Sequence, residues 1–257
     1  MLNRLEEKLK EMKKVAISYS GGIDSSFLLY VANKILPREN AIAIIAKGAM
    51  VPRKDYEEAI SFLEESNFKY IEIPYNPLEV KEFKENLKDR CYYCKKALMS
   101  KIKNVARENG FDILLDGKNA DDLKVYRPGN KVAGELGIIS PLAELGFSKQ
   151  NIRDEAKKLG IKIWNKPSNS CLATRVPYNT ILSEELLRKI DLSEEFLKNL
   201  GIKNLRVRAH GEMARIEVQK EDFDVILENE KIIDEIKSLG FKFVTLDLSG
   251  IKSGSFD

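Results

Sequence analysis

The sequence predicts an α/β protein, a doubly wound and mainly parallel sheet, with a smaller C-terminal α+β domain. The first part is predicted by short apolar runs, rich in β-branched residues, that alternate with longer segments of helical periodicity. The second part is predicted by two runs of alternating polarity around a short turn, which is typical of a hairpin. We expect an α/β domain over 1–165, a connecting loop over 166–181 and an α+β domain over 182–257.

The first domain takes its strands from four apolar runs and its helices from the segments between them. The runs predict strands at 15–19, 41–46, 69–74 and 112–117. Helical periodicity predicts helices at 2–13, 25–35, 53–67, 94–109 and 148–159, and helical segments within 77–88. Residues 130–137 predict a loop.

The second domain follows a long irregular segment, 161–180. A loop of this length inside a compact protein is more often functional than idle. Beyond it the pattern predicts helices at 183–200, 221–228 and 229–239, and strands at 205–209, 214–218 and 241–248.

The turn between the first strand and the following helix predicts an anion site. Its sequence, residues 20–26, is Ser-Gly-Gly-Ile-Asp-Ser-Ser. Free backbone N–H groups and the helix dipole favour a negative charge there, and polyphosphate suits the site best. Ser20, Ser25 and Ser26 add hydroxyl donors. Asp24 is a carboxylate beside phosphates, which indicates a bridging Mg²⁺ ion.

Composition excludes several classes of protein. With 43 basic and 40 acidic residues, the net charge of +3 gives no support for general nucleic-acid binding. No apolar run approaches the roughly 20 residues of a membrane span, and the N-terminus alternates charges unlike a signal peptide. We therefore expect a cytoplasmic protein.

Two further strand ends carry candidate nucleotide-binding residues. Lys47 follows the second strand, where a base or ribose would lie in an open parallel sheet. Gly117 ends the fourth predicted strand and would lie against the ribose or base, and Asp121 or Asp122, which follow, would lie near the metal or ATP. A capped loop that starts a helix is the alternative for this acidic turn.

Arg206 and Arg208 have the same parity on a predicted strand, so both side chains project from one face toward a common anion. A guanidinium pair suits a phosphate or carboxylate. Two surface arginines on an exposed strand are the alternative. His210 is expected to be a turn residue without a catalytic role.

Residues 20–26 resemble the pyrophosphate loop of the ATP pyrophosphatases, enzymes that cleave ATP to AMP and pyrophosphate. Four further motifs make the resemblance narrower. Together with the loop they resemble the LarE family, in the same order over nearly the whole chain. The motifs are residues 116–122, residues 166–175, the strand with Arg206 and Arg208, and residues 244–255.

The LarE resemblance implies an ATP-dependent sulfur transferase of nickel-pincer nucleotide synthesis. Its substrate would be pyridinium-3,5-biscarboxylic acid mononucleotide, each carboxylate of which is adenylylated and then converted to a thiocarboxylate. The resemblance implies ATP and Mg²⁺ as cofactors, a homo-oligomer, Arg175, Arg206 and Arg208 at the substrate, and Cys171 and Asp24 as catalytic residues. The implied nucleotide site comprises Ser18, Ser20, Gly21, Gly22, Asp24, Ser25, Ser26, Lys47, Gly117, Asp121 and Asp122.

The three cysteines distinguish two versions of the family. Members with only the cysteine that matches Cys171 lose its sulfur as sacrificial donors. This chain adds Cys91 and Cys94, and three thiolates can hold a [4Fe-4S] cluster with one iron left open to carry a sulfide. A redox pair, half of a zinc site, or two inert cysteines beside a sacrificial Cys171 are the alternatives.

Two other functions compete with sulfur transfer to a small nucleotide. A related enzyme could thiolate tRNA, but near-neutral charge gives no sign of an RNA-binding module. A nucleotide sensor or metal-storage protein would bind ATP without releasing pyrophosphate. The source of the delivered sulfide cannot be identified from the residues.

Overall fold

The computed structural model describes residues 1–124, 129, 131–167 and 170–252. Parts of the predicted segments 130–137, 161–180 and 244–255 therefore lie outside the described residues. Within the described part no helix is both long and apolar enough to span a membrane. The α-helices are α1 (Leu2–Met12), α2 (Ile23–Ile35), α3 (Arg53–Glu65), α4 (Lys81–Lys84), α5 (Arg90–Glu108), α6 (Ala120–Lys124), α7 (Lys131–Glu135), α8 (Pro141–Glu144), α9 (Lys149–Lys158), α10 (Glu184–Asn199), α11 (Phe223–Leu227) and α12 (Lys231–Ser238).

The strands form two separate sheets, as the sequence predicts. They are β1 (Val15–Tyr19), β2 (Ala41–Lys47), β3 (Tyr70–Pro74), β4 (Leu114–Leu115), β5 (Leu205–His210), β6 (Met213–Val218) and β7 (Phe243–Leu246). The chain divides into two compact units. The first contains Met1–Gly48, Asp55–Asn76 and Asp89–Asn169, and the second contains Ala49–Lys54, Pro77–Lys88 and Ser170–Asp257.

The first unit contains a parallel sheet with strand order β3-β2-β1-β4. Val15 pairs with Ala41, and Ala16 pairs with Leu114, so β1 has a parallel neighbour on each side. The strand order therefore reverses between β1 and β4. In open α/β sheets a ligand cleft forms at such a switch point, at the carboxyl ends of the strands. The predicted doubly wound α/β class is confirmed.

Helices cover both faces of this sheet because β1 is apolar on both sides. Val15, Ile17 and Tyr19 join a core with α1, α2 and α9, whereas Ala16 joins a second core with α5 and α7. On α5 the buried residues Met99, Ile102 and Ala106 recur at helical spacing and face that second core.

The second unit contains a mixed three-stranded sheet with order β5-β6-β7. β5 and β6 form the predicted antiparallel hairpin, in which Gly211 at φ 60° occupies the turn. β7 pairs parallel to β6, with Met213 opposite Phe243. The helix α10 packs on β5 through its apolar face.

Some local predictions differ from the structure in kind or in extent. The predicted loop at 130–137 contains α7, whose Val132 and Ala133 are buried in the second core, so tertiary packing outweighs the helix-breaking effect of Gly134. The helix predicted to begin at Cys94 begins at Arg90, so both nearby cysteines lie inside α5. The fourth strand pairs over only Leu114–Leu115.

Candidate active site

The loop between β1 and α2 is held by its own hydroxyl groups. Ser25 Oγ donates to the carbonyl of Gly22 at 3.1 Å and lies 3.1 Å from Ser20 Oγ. Gly21 has φ 71°, and a Cβ there would come 2.5 Å from Ala59 Cβ, so only glycine fits this turn. These contacts present the N-terminus of α2 at the carboxyl end of the sheet, where it favours an anion.

This end of the sheet carries a cavity of about 430 Å³ that lies wholly within the first unit. Its walls come from the β1–α2 loop, the segment after β4, and one face of α5. The lining residues are Ser18, Ser20, Gly22, Asp24, Ser25, Cys91, Lys95, Leu98, Met99, Asp116, Gly117, Lys118, Asp122 and Gly129. Sequence reasoning placed seven of these at a nucleotide and Cys91 at a cluster.

Asp24 is a half-paired carboxylate at this cavity. Its Oδ2 accepts hydrogen bonds from Lys149 Nζ at 2.5 Å and from Asn119 Nδ2 at 3.4 Å. Its buried Oδ1 has no hydrogen-bond partner among the described residues. Burial raises the pKa of Asp24, an effect that the hydrogen bond from Lys149 opposes and that the negative charge of Asp122 reinforces.

Asp116 is a second half-paired carboxylate, at the end of β4. Its Oδ1 accepts hydrogen bonds from Ser140 Oγ at 2.6 Å and from the backbone N–H of Lys118 at 3.2 Å. Within the described part of the chain, its buried Oδ2 has no partner. A buried acceptor without a donor is costly, and a metal ion satisfies it. Asp24 and Asp116 therefore fit a Mg²⁺ ion, which prefers one or two carboxylates beside phosphate oxygens.

Four predicted nucleotide-binding residues do not line the cavity. Gly21 shapes the loop, and buried Ser26 donates to the Tyr19 hydroxyl at 3.3 Å. Asp121 accepts from the backbone N–H of Lys149 at 2.8 Å. Lys47 is exposed, with its ammonium 3.7 Å from Glu72. The structure gives these residues structural contacts, and their predicted contact with a nucleotide stays a prediction.

Cys91 and Cys94 lie three residues apart in α5, so they share a helix face. Cys91 is exposed and lines the cavity, whereas Cys94 is more buried and its Sγ accepts from the Tyr75 hydroxyl at 3.5 Å. Burial raises the pKa of the Cys94 thiol. Cys171 belongs to the second unit. Among the described residues no group of three or more His, Cys, Asp or Glu side chains is arranged to hold a metal ion.

Arg175 is buried in the second unit and braces the segment that carries Cys171. Its guanidinium binds Glu194 through two hydrogen bonds, of 2.8 Å to Oε1 and 3.1 Å to Oε2. Its NH1 donates to the carbonyl of Ser170 at 3.0 Å and to Thr174 Oγ1 at 3.0 Å. The structure thus gives this predicted substrate-binding residue a set of protein partners.

Arg208 is also buried, and its Nε donates to Glu217 Oε1 at 2.6 Å while its NH1 donates to the carbonyl of Thr174 at 2.8 Å. Arg206 is half-buried. Burial, followed by the positive charges of Arg175 and Arg208, lowers the pKa of Arg206. Arg175 and Arg208 therefore both bind the Cys171 segment, and each has a buried carboxylate, Glu194 or Glu217, as its ion-pair partner.

Comparison with known proteins identifies the family. The chain is 35% identical over 247 residues to the pyridinium-3,5-bisthiocarboxylic acid mononucleotide synthase of Lactiplantibacillus plantarum. The matched region covers 96% of this chain and 90% of that protein. The chain belongs to the LarE family. An uncharacterized protein of Methanocaldococcus jannaschii is 34% identical over 251 residues, 98% of this chain and 95% of that one.

The N-terminal part of the chain is also similar to NAD synthase. Residues 2–111 match the NAD synthase family. The NH₃-dependent NAD⁺ synthetase of Helicobacter pylori is 25% identical over 224 residues, 79% of this chain and 84% of that protein. The matched residues contain the β1–α2 loop and the start of α5, two of the cavity walls.

The LarE resemblance assigned no role to Asp116 and Lys95, which line the cavity, or to Lys149, which contacts Asp24. Asp116 stands directly before Gly117 at the end of a predicted strand, so its position was a usable signal. Lys95 follows Cys91 by four residues, which on a helix means the same face. Lys149 reaches Asp24 across 125 residues of sequence, and no local pattern marks it.

Replacing Asp24 by asparagine should stabilise the nucleotide-free protein while reducing ATP cleavage on the order of 100-fold. Because burial raises the folded-state pKa above the ordinary 3.8, the unfolded chain releases this proton first. The charged carboxylate therefore disfavours folding, fully above the raised pKa and not at all below 3.8. Thermal melts should show a higher Tm for Asp24→Asn at neutral pH. The gap should close as the pH falls, and a lower Tm at neutral pH would contradict this.

Proposed function

We propose that this protein converts the carboxylates of pyridinium-3,5-biscarboxylic acid mononucleotide to thiocarboxylates in an ATP-dependent reaction. The relative from Lactiplantibacillus plantarum is named for the bisthiocarboxylic acid product, and it matches 96% of this chain. The observation that carries the proposal is one shared cavity. A phosphate-binding loop, two carboxylate oxygens without hydrogen-bond partners among the described residues, and a cysteine line it together.

The first step is adenylylation of a substrate carboxylate. A carboxylate oxygen attacks the α-phosphorus of ATP, the bond between the α-phosphorus and the bridging oxygen breaks, and pyrophosphate leaves. The N-terminus of α2 and the hydroxyls of Ser20 and Ser25 would hold the pyrophosphate end. Asp24 and Asp116 would hold Mg²⁺, which neutralises charge on the leaving group.

The second step replaces AMP by sulfur. Sulfide attacks the acyl carbon, and the bond from that carbon to the AMP oxygen breaks to leave a thiocarboxylate. A [4Fe-4S] cluster held by Cys91, Cys94 and Cys171 would supply the sulfide from its open iron. Two observations favour Cys91 and Cys94 as ligands: they share a helix face, and Cys91 lines the nucleotide cavity.

The substrate would be bound by arginines of the second unit. Arg206 is half-buried; burial first, and then the positive charges of Arg175 and Arg208, lower its pKa, while Glu217 and Glu194 oppose this effect. An anion placed there would offset that repulsion. The phosphate of the mononucleotide is such an anion. Arg175 and Arg208, held in place by their bonds to Glu194 and Glu217, would add positive charge near it.

The decisive test is an anaerobic assay with reconstituted protein, ATP, Mg²⁺, sulfide and the biscarboxylate nucleotide. We expect pyrophosphate, AMP and thiocarboxylate in equal amounts, with many products per chain. Protein that makes at most one product per chain, with loss of H₂S from Cys171 in the mass spectrum, would show sacrificial transfer instead. Protein that releases no pyrophosphate with this substrate would refute the proposed function.

Replacing Cys91 by serine should abolish multiple turnover, because two remaining thiolates do not provide the three protein ligands. The measurement is thiocarboxylate formed per chain, together with iron content after reconstitution. Tyr93→Phe is the control, since Tyr93 lies exposed between the two cysteines and has no assigned role. A Cys91→Ser protein that turns over as often as the Tyr93→Phe protein would contradict the cluster.

We also propose that the protein works in the cytoplasm as a homo-oligomer. Both statements derive from the sequence and the family resemblance. Size-exclusion chromatography with light scattering tests the second.

A further inference from the structure

The charged groups of the cavity wall that the chemistry above does not use include the ammonium of Lys95. The side chain is half-buried and lines the cavity with Asp24 and Gly117. Within the part of the chain that the structure describes, no carboxylate or carbonyl binds its ammonium. Its neighbour Lys96 differs: it is exposed, and its Nζ lies 2.8 Å from Glu135 Oε2 and 3.0 Å from the Tyr92 hydroxyl.

The aliphatic part of the Lys95 side chain packs beside Gly129. A Cβ built on Gly129 would come 3.3 Å from Lys95 Cδ and 3.5 Å from the carbonyl oxygen of Cys91. Gly129 therefore packs closely on this part of α5. Placing a half-buried cation without a partner is unfavourable in a protein, so such a group is suited to an anion that enters with a ligand.

The position of Lys95 on α5 indicates which part of the ligand it meets. Lys95 follows Cys91 by four residues, so the two side chains are neighbours on one helix face, about 5–6 Å apart at Cβ. The phosphate-binding loop forms another wall of the same cavity and suits the pyrophosphate end. Sulfide delivered from a cluster that Cys91 helps to hold must reach an acyl carbon that is joined to the α-phosphorus through one oxygen.

We propose that the Lys95 ammonium binds the α-phosphoryl group of ATP and offsets the charge that accumulates there during carboxylate attack. This inference rests on the proposed function. When the carboxylate oxygen bonds to the α-phosphorus, two negatively charged groups come together, and the electron pair of the broken bond leaves with pyrophosphate. The same ammonium faces the phosphate that leaves as AMP when sulfide attacks the acyl carbon. Neither step needs a redox partner.

The experiment compares Lys95→Gln with Lys96→Gln, adjacent lysines that differ in whether a protein group binds the ammonium. Carboxylate-dependent pyrophosphate release is measured under saturating ATP, and affinity is measured by calorimetry with Mg²⁺ and α,β-methylene-ATP. We expect Lys95→Gln to lower the rate about 100-fold. Because the contact strengthens in the transition state, the affinity should change by less than about threefold. Lys96→Gln should leave both values unchanged.

Two results would overturn the assignment. A Lys95→Gln protein as fast as the Lys96→Gln protein would show that the α-phosphoryl group does not depend on this ammonium. Equal loss of rate in both variants would show a general effect of α5 charge. Wild-type protein without carboxylate-dependent pyrophosphate release would instead refute the proposed function, and this inference with it.

Discussion

Gly117→Ala should reduce ATP-dependent pyrophosphate release by about 100-fold or more, since it displaces groups positioned for the transition state. A Cβ at Gly117 would lie 2.7 Å from the backbone nitrogen of Ser25, 2.9 Å from its Cα and 3.2 Å from the carbonyl carbon of Asp24. All three atoms are backbone atoms at the start of α2, so no flexible side chain can move aside. The loop must shift, and Asp24 and Ser25 shift with it.

Gly134→Ala is the matched control for this substitution. A Cβ on Gly134 meets nothing within 4 Å, and the residue lies inside α7, where alanine is the better helix former. We expect unchanged activity and a slightly higher Tm. Binding of Mg²⁺ with α,β-methylene-ATP, measured by calorimetry, should be weakened in Gly117→Ala alone. Equal binding and turnover in the two variants would show that the contact with Ser25 does not position the loop.

The part of the site that the sequence predicts well is the part that is local. An apolar run, a Gly-Gly turn and a helix follow one another directly, so residues 15–35 fold as predicted and the helix starts only two residues early. The acidic turn after β4 is likewise predicted from residues adjacent in sequence. Because β1 and β4 are parallel neighbours, their two loops meet at one cavity.

The part that sequence patterns miss depends on long-range partners. Lys149 begins α9 behind a capping box of Ser148 and Asn151, which predicts the helix but not that its first lysine reaches Asp24. The start of α5 is missed for another reason. Its N-cap, Asp89, makes no side-chain capping bond, so no capping signal marks Arg90 as the first residue.

For Arg206 and Arg208 the sequence predicts the shared strand face correctly but does not predict the ion-pair partner. The two residues do lie on the same face of β5, as alternation requires. Arg208, however, binds Glu217 on the neighbouring strand, and this carboxylate has its own second partner in Arg215 at 2.9 Å. A buried acid on an adjacent strand cannot be assigned to a particular arginine from one sequence.

Arg175→Ala should lower the free energy of unfolding by about 3–5 kcal/mol, because it leaves the carboxylate of Glu194 buried without its ion-pair partner. Arg175 is 4% exposed and Glu194 is 1% exposed, so water cannot replace the lost guanidinium. Glu194 retains one donor, the backbone N–H of Val207 at 3.0 Å, which does not neutralise its charge. Urea unfolding followed by circular dichroism measures the loss.

The matched control is Arg53→Ala, because the partner of Arg53, Glu195, is the next acidic residue after Glu194 on α10. Glu195 binds Arg53 at 2.6 Å, but the Arg53 side chain is 58% exposed, so Arg53→Ala should cost less than about 1 kcal/mol. The double variant Arg175→Met with Glu194→Gln removes both charges and keeps an acceptor for Val207. It should recover much of the loss. Equal destabilisation by Arg175→Ala and Arg53→Ala would contradict a buried ion pair.

The same substitution separates bracing from substrate binding. Arg175 NH1 also binds the Ser170 carbonyl and Thr174 Oγ1, on either side of Cys171. If Arg175 acts through this segment, the double variant should fold yet transfer sulfur slowly, with an unchanged KM for the mononucleotide. An arginine that contacts the substrate would instead raise KM when it is removed. The ratio of the two effects, measured in the stable double variant, therefore assigns Arg175 to the Cys171 segment or to the substrate.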